Sequence, residues 1–234
     1  MPAPLARRVF VTGGTGYIGR ALLEALVTRG HTVTALVRPG GSSRLAPGVA
    51  YVVGDALDAS TYVREIPPAD TLVQLVGTPR PGPGKSAEYA RVDLPAGLAA
   101  VEAAMGARVR HLVYVSVAQP APVMRAYVTA RASVESRIRE ACARSWLTAT
   151  ILRPWYVLGP GHRWPQLLAP VYALARLNPS TREGARRLGL VTLAQMVGAL
   201  VEAVEHPPDD VGGPRVWEVP RIALARAVQM SPAP

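Results

Sequence analysis

The stretch Val11-Thr-Gly-Gly-Thr-Gly-Tyr-Ile-Gly19 decides the fold of this chain. It follows an apolar run and precedes an amphipathic run, so it reads as a turn between a strand and a helix. Such a turn points backbone N–H groups at the helix N-terminus, where the helix dipole favours a phosphate. Gly13 permits the tight turn, Gly16 leaves room for the phosphates, and Gly19 lets the helix pack closely on the strand. The stretch therefore predicts a dinucleotide site rather than an ordinary glycine-rich turn.

Short β-branched runs alternate with helical stretches along the rest of the chain, which is the pattern of parallel βαβ units. The predicted strands are residues 8–12, 32–37, 49–53, 71–76, 110–116, 147–152 and 215–219. The predicted helices are residues 17–29, 58–65, 87–105, 126–143, 163–176 and 192–205. The strands are almost wholly apolar, as when helices cover both faces of a sheet. We therefore predict an α/β fold with a doubly wound, Rossmann-type parallel sheet.

The same pattern predicts how the domain is organised. Residues 1–153 are expected to form the dinucleotide-binding core, and residues 154–234 a small C-terminal cap that completes the same domain. The least regular stretch, residues 154–190, is expected to lie over the carboxyl edge of the sheet, where open α/β folds bind ligands.

Composition restricts the class of protein. The net charge of +10 is spread along the 234 residues without clusters, so we expect no nucleic-acid partner. No apolar run reaches the roughly 18 residues of a membrane span, and the N-terminal residues lead directly into the first strand, so neither a span nor a signal peptide is expected. Cys142 is the only cysteine; it is expected to be a buried apolar residue and fits a cytoplasmic location. No residue cluster has metal-ligand spacing, so no metal is expected.

Arg38 follows the second predicted strand, 19 residues after Gly19. Dinucleotide folds place an acid here when the adenosine ribose keeps its 2′-hydroxyl, whereas an arginine accommodates a 2′-phosphate. No Asp or Glu lies between His31 and Asp55. Because a guanidinium suits phosphate, Arg38, supported by Arg44, favours NADP over NAD. A solvated arginine at a strand end is the alternative interpretation.

The next two strand ends supply further candidate cofactor contacts. In Gly54-Asp-Ala-Leu-Asp58, Asp55 is placed to accept a hydrogen bond from the adenine amino group, and Ala56 lies beside it. Asp58 is expected to cap the following helix. Gly77 and Thr78 end the fourth strand, from which their backbone atoms can approach the ribose and diphosphate.

The order of these motifs resembles the short-chain dehydrogenase/reductase superfamily, in its extended and atypical branches (NmrA-like and complex I subunit-like proteins). The motifs that carry the resemblance are Thr12–Gly19, Gly54–Asp58, Val113–Ser116, Tyr127–Arg131, Leu152–Gly161 and Leu190–Val197. The resemblance spans nearly the whole chain and implies hydride transfer between a nicotinamide cofactor and a carbonyl or quinone-like substrate. Since the chain is shorter than typical extended members, it also implies a reduced substrate cap.

The family places a catalytic Tyr and a Lys four residues later on one helix face. The tyrosine gives or takes the proton, while the lysine holds the ribose and lowers the tyrosine pKa. Tyr127 matches the tyrosine, but Arg131 stands in place of the lysine. Arginine can keep the electrostatic role and bind ribose hydroxyls, or its inability to exchange a proton can abolish catalysis. Lys85 is the only lysine among 26 basic residues, so compositional drift also explains the arginine.

Two other positions depart from the family pattern. The family serine after the fifth strand polarises the substrate oxygen; Ser116 is the candidate, although one register places Val117 there and turns Ser116 away. Where extended members often have Asn, on the helix after the fourth strand, this chain has Asp93, which we expect to be a solvated or capping carboxylate.

The sequence leaves the substrate and the reaction open. Trp155, Tyr156, His162 and Trp164 follow the sixth strand and are candidates to line an apolar or aromatic substrate pocket, or else only to pack. The first hypothesis is an NADP-dependent oxidoreductase with Tyr127 as proton donor. The alternatives are a noncatalytic NADP(H)-binding regulatory or assembly protein and, against the evidence of Arg38, an isomerase or epimerase that keeps NAD bound.

The candidate residues form two sets. The catalytic candidates are Tyr127, Arg131 and Ser116. The cofactor-binding candidates are Gly13, Thr15, Gly16, Tyr17, Ile18, Gly19, Arg38, Asp55, Ala56, Gly77, Thr78, Tyr127 and Arg131. The expected partner is a small molecule, and the sequence does not indicate an oligomeric state.

Overall fold

A parallel sheet with helices on both faces forms the centre of the molecule, in a computed structural model that describes residues 5–79, 82, 84–121, 123–160, 179–210 and 212–228. The strands are β1 (Arg8–Thr12), β2 (Thr32–Val37), β3 (Ala50–Val53), β4 (Thr71–Gln74), β5 (His111–Val115), β6 (Thr148–Arg153), β7 (Tyr156–Leu158), β8 (Leu190–Thr192) and β9 (Arg215–Glu218). The helices are α1 (Tyr17–Thr28), α2 (Ser86–Glu88), α3 (Leu94–Gly106), α4 (Arg125–Arg144), α5 (Pro179–Arg187), α6 (Leu193–Glu205) and α7 (Val219–Ala223).

The strand order confirms the predicted doubly wound sheet. Seven strands are arranged β3-β2-β1-β4-β5-β6-β9, and every neighbouring pair is parallel. The chain reverses its direction of winding between β1 and β4, which is the switch point where such sheets bind ligands. A separate two-stranded sheet pairs β7 with β8. The late strand β9 lies beside β6, so the C-terminal part of the chain completes the central sheet.

Several predicted elements differ from the structure. Instead of a helix over 58–65 there are two 3₁₀ turns, Ala59–Thr61 and Val63–Glu65. The predicted helix 87–105 is continuous but contains a π-turn, Tyr89–Asp93, between α2 and α3. The sequence prediction missed β7, β8, α5 and α7, all of them short, and the predicted helix 163–176 lies outside the described residues.

Apolar side chains cover both faces of the sheet. On one face α1 and α6 pack together, and on the other α3 and α4 do so. The fully buried residues include Leu22, Leu26, Met196 and Leu200 on the first face and Val101, Val134 and Ile138 on the second. Burying each such side chain contributes about 2 kcal/mol. These layers hold the carboxyl ends of the strands at one edge.

A side-chain hydrogen bond joins β1 and β4 at the switch point. The Thr12 hydroxyl donates to Gln74 Oε1, and the same oxygen accepts from the Val76 backbone N–H at 3.0 Å. Both side chains are buried. This link fixes the separation of the two strand ends from which the glycine turn and the Gly77 loop emerge.

Within the described residues, no helix has both the length and the apolar character that crossing a membrane requires.

Candidate active site

The glycine turn has the geometry of a phosphate cradle at the carboxyl end of β1. Gly13 has φ of +78°, and the Gly16 N–H donates to its carbonyl at 3.0 Å. A Cβ on Gly19 would lie 2.7 Å from the Gly14 Cα, so only glycine lets α1 start this close to the turn. Gly16 is exposed, and no side chain among the described residues caps α1 there. The open N-terminus fits an anion such as a pyrophosphate.

The non-glycine residues of the turn and of the first turn of α1 connect the cradle to the rest of the domain. Thr15 is half-buried at the edge of the turn, and Ile18 packs into the core below it. Tyr17 opens α1 and lies against Gly159, where a Cβ would come 3.3 Å from the tyrosine Cζ. The turn thus joins the first helix to the segment after β7.

The residues predicted on the adenosine side follow β2 and β3 at the same edge. Arg38 is exposed, and its guanidinium has no hydrogen bond or ion pair with any residue of the described ranges. Asp55 Oδ1 accepts from the Leu57 N–H at 3.0 Å, which orders its own turn, and Ala56 packs against the core. Asp58 accepts from the Ser60 N–H at 2.9 Å, so the predicted cap is confirmed, although on a 3₁₀ turn.

Asp93 lies fully buried beneath the end of β4. Its Oδ1 accepts from Arg131 Nη2 at 2.6 Å, and its Oδ2 accepts from the Thr78 N–H at 3.1 Å and the Thr78 hydroxyl at 2.5 Å. The prediction of a solvated or capping carboxylate was therefore wrong. The π-turn carries Asp93 inward, where the cation of Arg131 and the two donors of Thr78 offset its desolvation.

Arg131 fills the space between the ends of β4 and β5. Its Nη1 donates to the Val115 carbonyl at 2.7 Å, and its guanidinium abuts Gly77, where a Cβ would come 2.8 Å from Asp93 Oδ1 and overlap the arginine. Burial acts to lower the pKa of Arg131, but the neighbouring Tyr127, Tyr114 and Asp93 raise it, so the side chain stays charged. Its Nε is buried without a hydrogen-bond partner among the described residues.

Tyr127 lies over Arg131 on α4, one helical turn earlier. The Arg131 Cζ is 5.2 Å from the Tyr127 ring centroid, and the centroid of the Tyr89 ring lies 4.9 Å from it. Burial raises the pKa of Tyr127, and the charge of Arg131, which acts to lower it, does not compensate. The expected lowering of the tyrosine pKa is therefore not found; the phenol is held protonated.

Ser116 belongs to a different cluster. Its hydroxyl donates to Glu135 Oε1 at 2.6 Å, and Arg153 Nη2 donates to Glu135 Oε2 at 2.5 Å. The structure does not bring Ser116 to Tyr127, because the neighbouring residue Val117 packs there instead. This is the register that turns the serine away, and it gives no support to Ser116 as a catalytic residue.

The sequence analysis did not single out Glu135, which is fully buried. It follows Tyr127 and Arg131 at intervals of four residues, so helical spacing alone would have placed it on the same inward face. Its hydrogen bonds with Ser116 and Arg153 place it in a cluster separate from Tyr127.

Aromatic side chains surround Tyr127. The Tyr89 hydroxyl donates to the Gly82 carbonyl at 2.8 Å and accepts from its N–H, so it anchors the loop after β4. Trp155 packs against the Tyr127 cluster and contacts Tyr156 edge-on at 5.5 Å. The two remaining predicted pocket residues, His162 and Trp164, lie outside the described residues.

Comparison with known proteins supplies a second kind of evidence. The profile of the NAD(P)H-binding family matches residues 13–163. A 3-diazoavenalumate denitrifying reductase of Streptomyces sp is 31% identical over 92% of this chain and 80% of that protein. The chloroplastic divinyl chlorophyllide a 8-vinyl-reductase of Oryza sativa subsp. indica is 30% identical over 65% of this chain and 40% of that protein. The chain thus spans well under half of the second relative.

Solved structures share the fold. A short-chain dehydrogenase/reductase family oxidoreductase from Burkholderia thailandensis has a TM-score of 0.67 at 21% identity, over 95% of this chain and 94% of that chain. A UDP-galactose 4-epimerase has a TM-score of 0.66 at 20% identity, over 89% of this chain and 75% of that chain. At these identities the similarity concerns the sheet and its helices.

Proposed function

We propose that this chain, a member of the NAD(P)H-binding family, is an NADPH-dependent reductase of a small apolar or aromatic substrate. The chain belongs to the atypical branch of the short-chain dehydrogenase/reductase superfamily and is an NAD(P)-dependent oxidoreductase. The observation that carries the proposal is the combination of an open glycine cradle at the end of β1 with a Tyr127 on α4 that is buried and protonated. We also propose that residues 1–153 form the cofactor-binding core, and that the protein is cytoplasmic.

The glycine cradle fits a dinucleotide. A Cβ on Gly16 would meet only the Gly13 carbonyl, at 3.2 Å, so the glycine keeps this side of the turn open. We propose that the N–H groups of the turn hold the diphosphate, and that Gly77 and Thr78 border the ribose next to it. When bound, the nicotinamide supplies the hydride.

The preference for NADP rests on Arg38. Its guanidinium is exposed at the end of β2, has no partner within the described residues, and can bind a 2′-phosphate with charge-assisted hydrogen bonds. No carboxylate stands between His31 and Asp55 to receive a free 2′-hydroxyl.

Tyr127 is the group that can deliver a proton. It is buried in a cluster with Tyr89 and Trp155, which form an aromatic surround. We propose that a carbonyl or quinone-like oxygen accepts the phenolic proton as the adjacent carbon receives hydride. The aromatic surround excludes water and favours a flat, apolar substrate.

Cofactor titration tests the first half of this proposal. NADPH is expected to bind about 10- to 100-fold more tightly than NADH, as charge-assisted hydrogen bonds to a phosphate imply. Arg38→Ala should remove most of that preference and leave NADH binding nearly unchanged. Arg144→Ala removes an exposed arginine at the C-terminal end of α4, away from β2, and serves as the matched control. Equal affinities in the native protein would contradict the assignment.

A turnover panel tests the second half. Native protein, Tyr127→Phe and Arg131→Lys are assayed for NADPH oxidation with quinones and aromatic aldehydes. Turnover that Tyr127→Phe abolishes supports the reductase. If the native protein binds NADPH but turns over none of the panel, the noncatalytic alternative is favoured, for which the engagement of Arg131 by Asp93 and Val115 is the supporting observation.

A further inference from the structure

Asp93 and Arg131 form a closed ion pair directly beneath Tyr127. The two atoms Asp93 Oδ1 and Arg131 Nη2 are 2.6 Å apart, and their side chains are exposed by only 0% and 6% respectively. The second carboxylate oxygen is satisfied by the N–H and hydroxyl of Thr78. The pair therefore has one positive and one negative charge in one desolvated volume, with no net charge.

We propose that Asp93 is a positioning residue for the reductase assigned above: it offsets part of the charge of Arg131 and locks the guanidinium against Gly77, so that Tyr127 can act as a proton donor. This inference rests on the proposed function. It departs from the expectation that the cation at position 131 makes the tyrosine easier to ionise.

Geometry makes Asp93 the only group that can do this among the described residues. The charged or titratable side chains that face Tyr127 are Arg131 on its own helix, Tyr89 and Asp93 on the π-turn, and Tyr114 on β5. Only Asp93 among them is a carboxylate. Burial is the largest cause of the raised pKa of Tyr127, and the charge of Asp93 opposes that of Arg131 on the phenol.

The proposal sets the direction of proton movement. In reduction, the hydride and the phenolic proton add to the carbonyl carbon and oxygen, the O–H bond of Tyr127 breaks, NADPH becomes NADP⁺, and a proton from the solvent returns to Tyr127 after the product has left. The reverse reaction needs the phenolate as base. We therefore expect reduction to be nearly independent of pH from ~6 to ~9, and alcohol oxidation to rise with pH over the same range.

The ionisation of Tyr127 can be measured without any cofactor. Protein with ¹³C at the tyrosine Cζ is titrated by NMR, and Tyr127→Phe identifies the resonance. In the native protein the pKa of Tyr127 should lie above its ordinary value of ~10. Asp93→Asn leaves Arg131 uncompensated and should lower this pKa by about one unit or more.

A charge-balanced variant guards against misfolding of the single substitution. Asp93→Asn combined with Arg131→Gln removes both charges, leaves no buried unpaired ion, and should return the pKa of Tyr127 at least to its native value, because burial, the largest cause of its raised pKa, remains. If Asp93→Asn lowered the pKa only by disturbing the fold, the double variant would not restore it. Thr78→Val, which removes one hydrogen bond to Asp93 but no charge, is the matched control and should not move it.

The outcomes separate this inference from the proposed function. An unchanged Tyr127 pKa in Asp93→Asn, or a lowered one that the double variant does not restore, overturns the role of Asp93 whether or not the protein turns over. A lowered pKa in Asp93→Asn that the double variant restores to the native value or above supports it, even if the turnover panel shows no reductase activity. Loss of turnover with these pKa values intact would instead contradict only the proposed function.

Discussion

The carboxylate of Glu135 accepts a hydrogen bond from the Ser116 hydroxyl at 2.6 Å, and neither residue belongs to the Tyr127 cluster. The serine thus helps to satisfy a buried charge and is not free to polarise a substrate oxygen. It follows that a bound carbonyl would depend on Tyr127 for its hydrogen bond.

Ser116→Ala tests this relationship. Removing the hydroxyl should lower the free energy of unfolding by about 1 to 2 kcal/mol, because Glu135 loses one donor but keeps those from Arg153. Turnover should fall less than ~10-fold, whereas a residue that stabilises a developing oxyanion would cost roughly 10²–10³ in kcat. Urea denaturation and NADPH oxidation measure the two quantities, and a large kcat loss at native stability would restore the catalytic interpretation.

Glu135 should make the protein sensitive to acid. Burial acts to raise its pKa, but hydrogen bonds from Arg153 and Ser116 and the charges of Arg153 and Arg139 bring it below its ordinary value in the folded protein. Since the folded pKa is lower than the unfolded one, the stabilisation is complete above about pH 5 and is lost as pH falls through the folded pKa. Denaturation curves between pH 7 and pH 3 should show this loss.

Glu135→Gln should remove that part of the acid sensitivity and cost about 1 to 3 kcal/mol at pH 7, because it leaves Arg153 with Glu218 as its carboxylate partner in place of two. Glu140→Gln is the matched control, since this glutamate on the same helix is half-exposed and forms a longer ion pair, 3.6 Å from Arg137 Nη1. An equal effect of the two substitutions would contradict the importance of the buried pair.

Gly19→Ala should disrupt the cradle. The new Cβ would be 2.7 Å from the Gly14 Cα and 2.8 Å from its carbonyl carbon, so α1 must move away from the turn. We expect a stability loss of about 2 kcal/mol and at least a tenfold loss of NADPH affinity. Gly184→Ala places a Cβ in open space on α5 and should be neutral or stabilising. Calorimetry and cofactor titration distinguish the two.

Cys142 should be unreactive in the native protein. It is buried, and burial raises its pKa to about 11. At pH 8 almost none of the thiol is ionised, so labelling by a thiol reagent should be limited by opening of the structure. One equivalent should react rapidly in denaturant. Rapid labelling under native conditions would contradict the packing of α4.

The elements that the sequence predicted well are those whose burial requires a regular pattern of apolar residues in the sequence. Apolar β-branched runs marked the seven central strands, and Gly13 and Gly19 are placed where only glycine fits. The short strands β7 and β8 have three residues each, too few for periodicity to identify. The π-turn leaves no pattern of its own, because its residues also suit an α-helix.

The site was harder to predict than the fold, because its key relationships join distant segments. Asp93 and Arg131 are 38 residues apart, and each looked like an isolated departure from the family pattern. Only the folded chain shows that the two charged side chains form an ion pair. The direction of the Tyr127 pKa shift depends likewise on burial, which the sequence does not report.

The contact between Gly77 and Arg131 restricts the order in which these two positions can change. A side chain at 77 would overlap the guanidinium, so the arginine is tolerated only where a glycine is already present. Once the arginine is in place, position 77 can no longer vary. Arg131→Lys would in turn open a gap beside Gly77 and give Asp93 a point charge in place of a planar fork. The two positions are thus epistatic, and a lysine introduced into this background is not equivalent to a lysine that the chain has always carried.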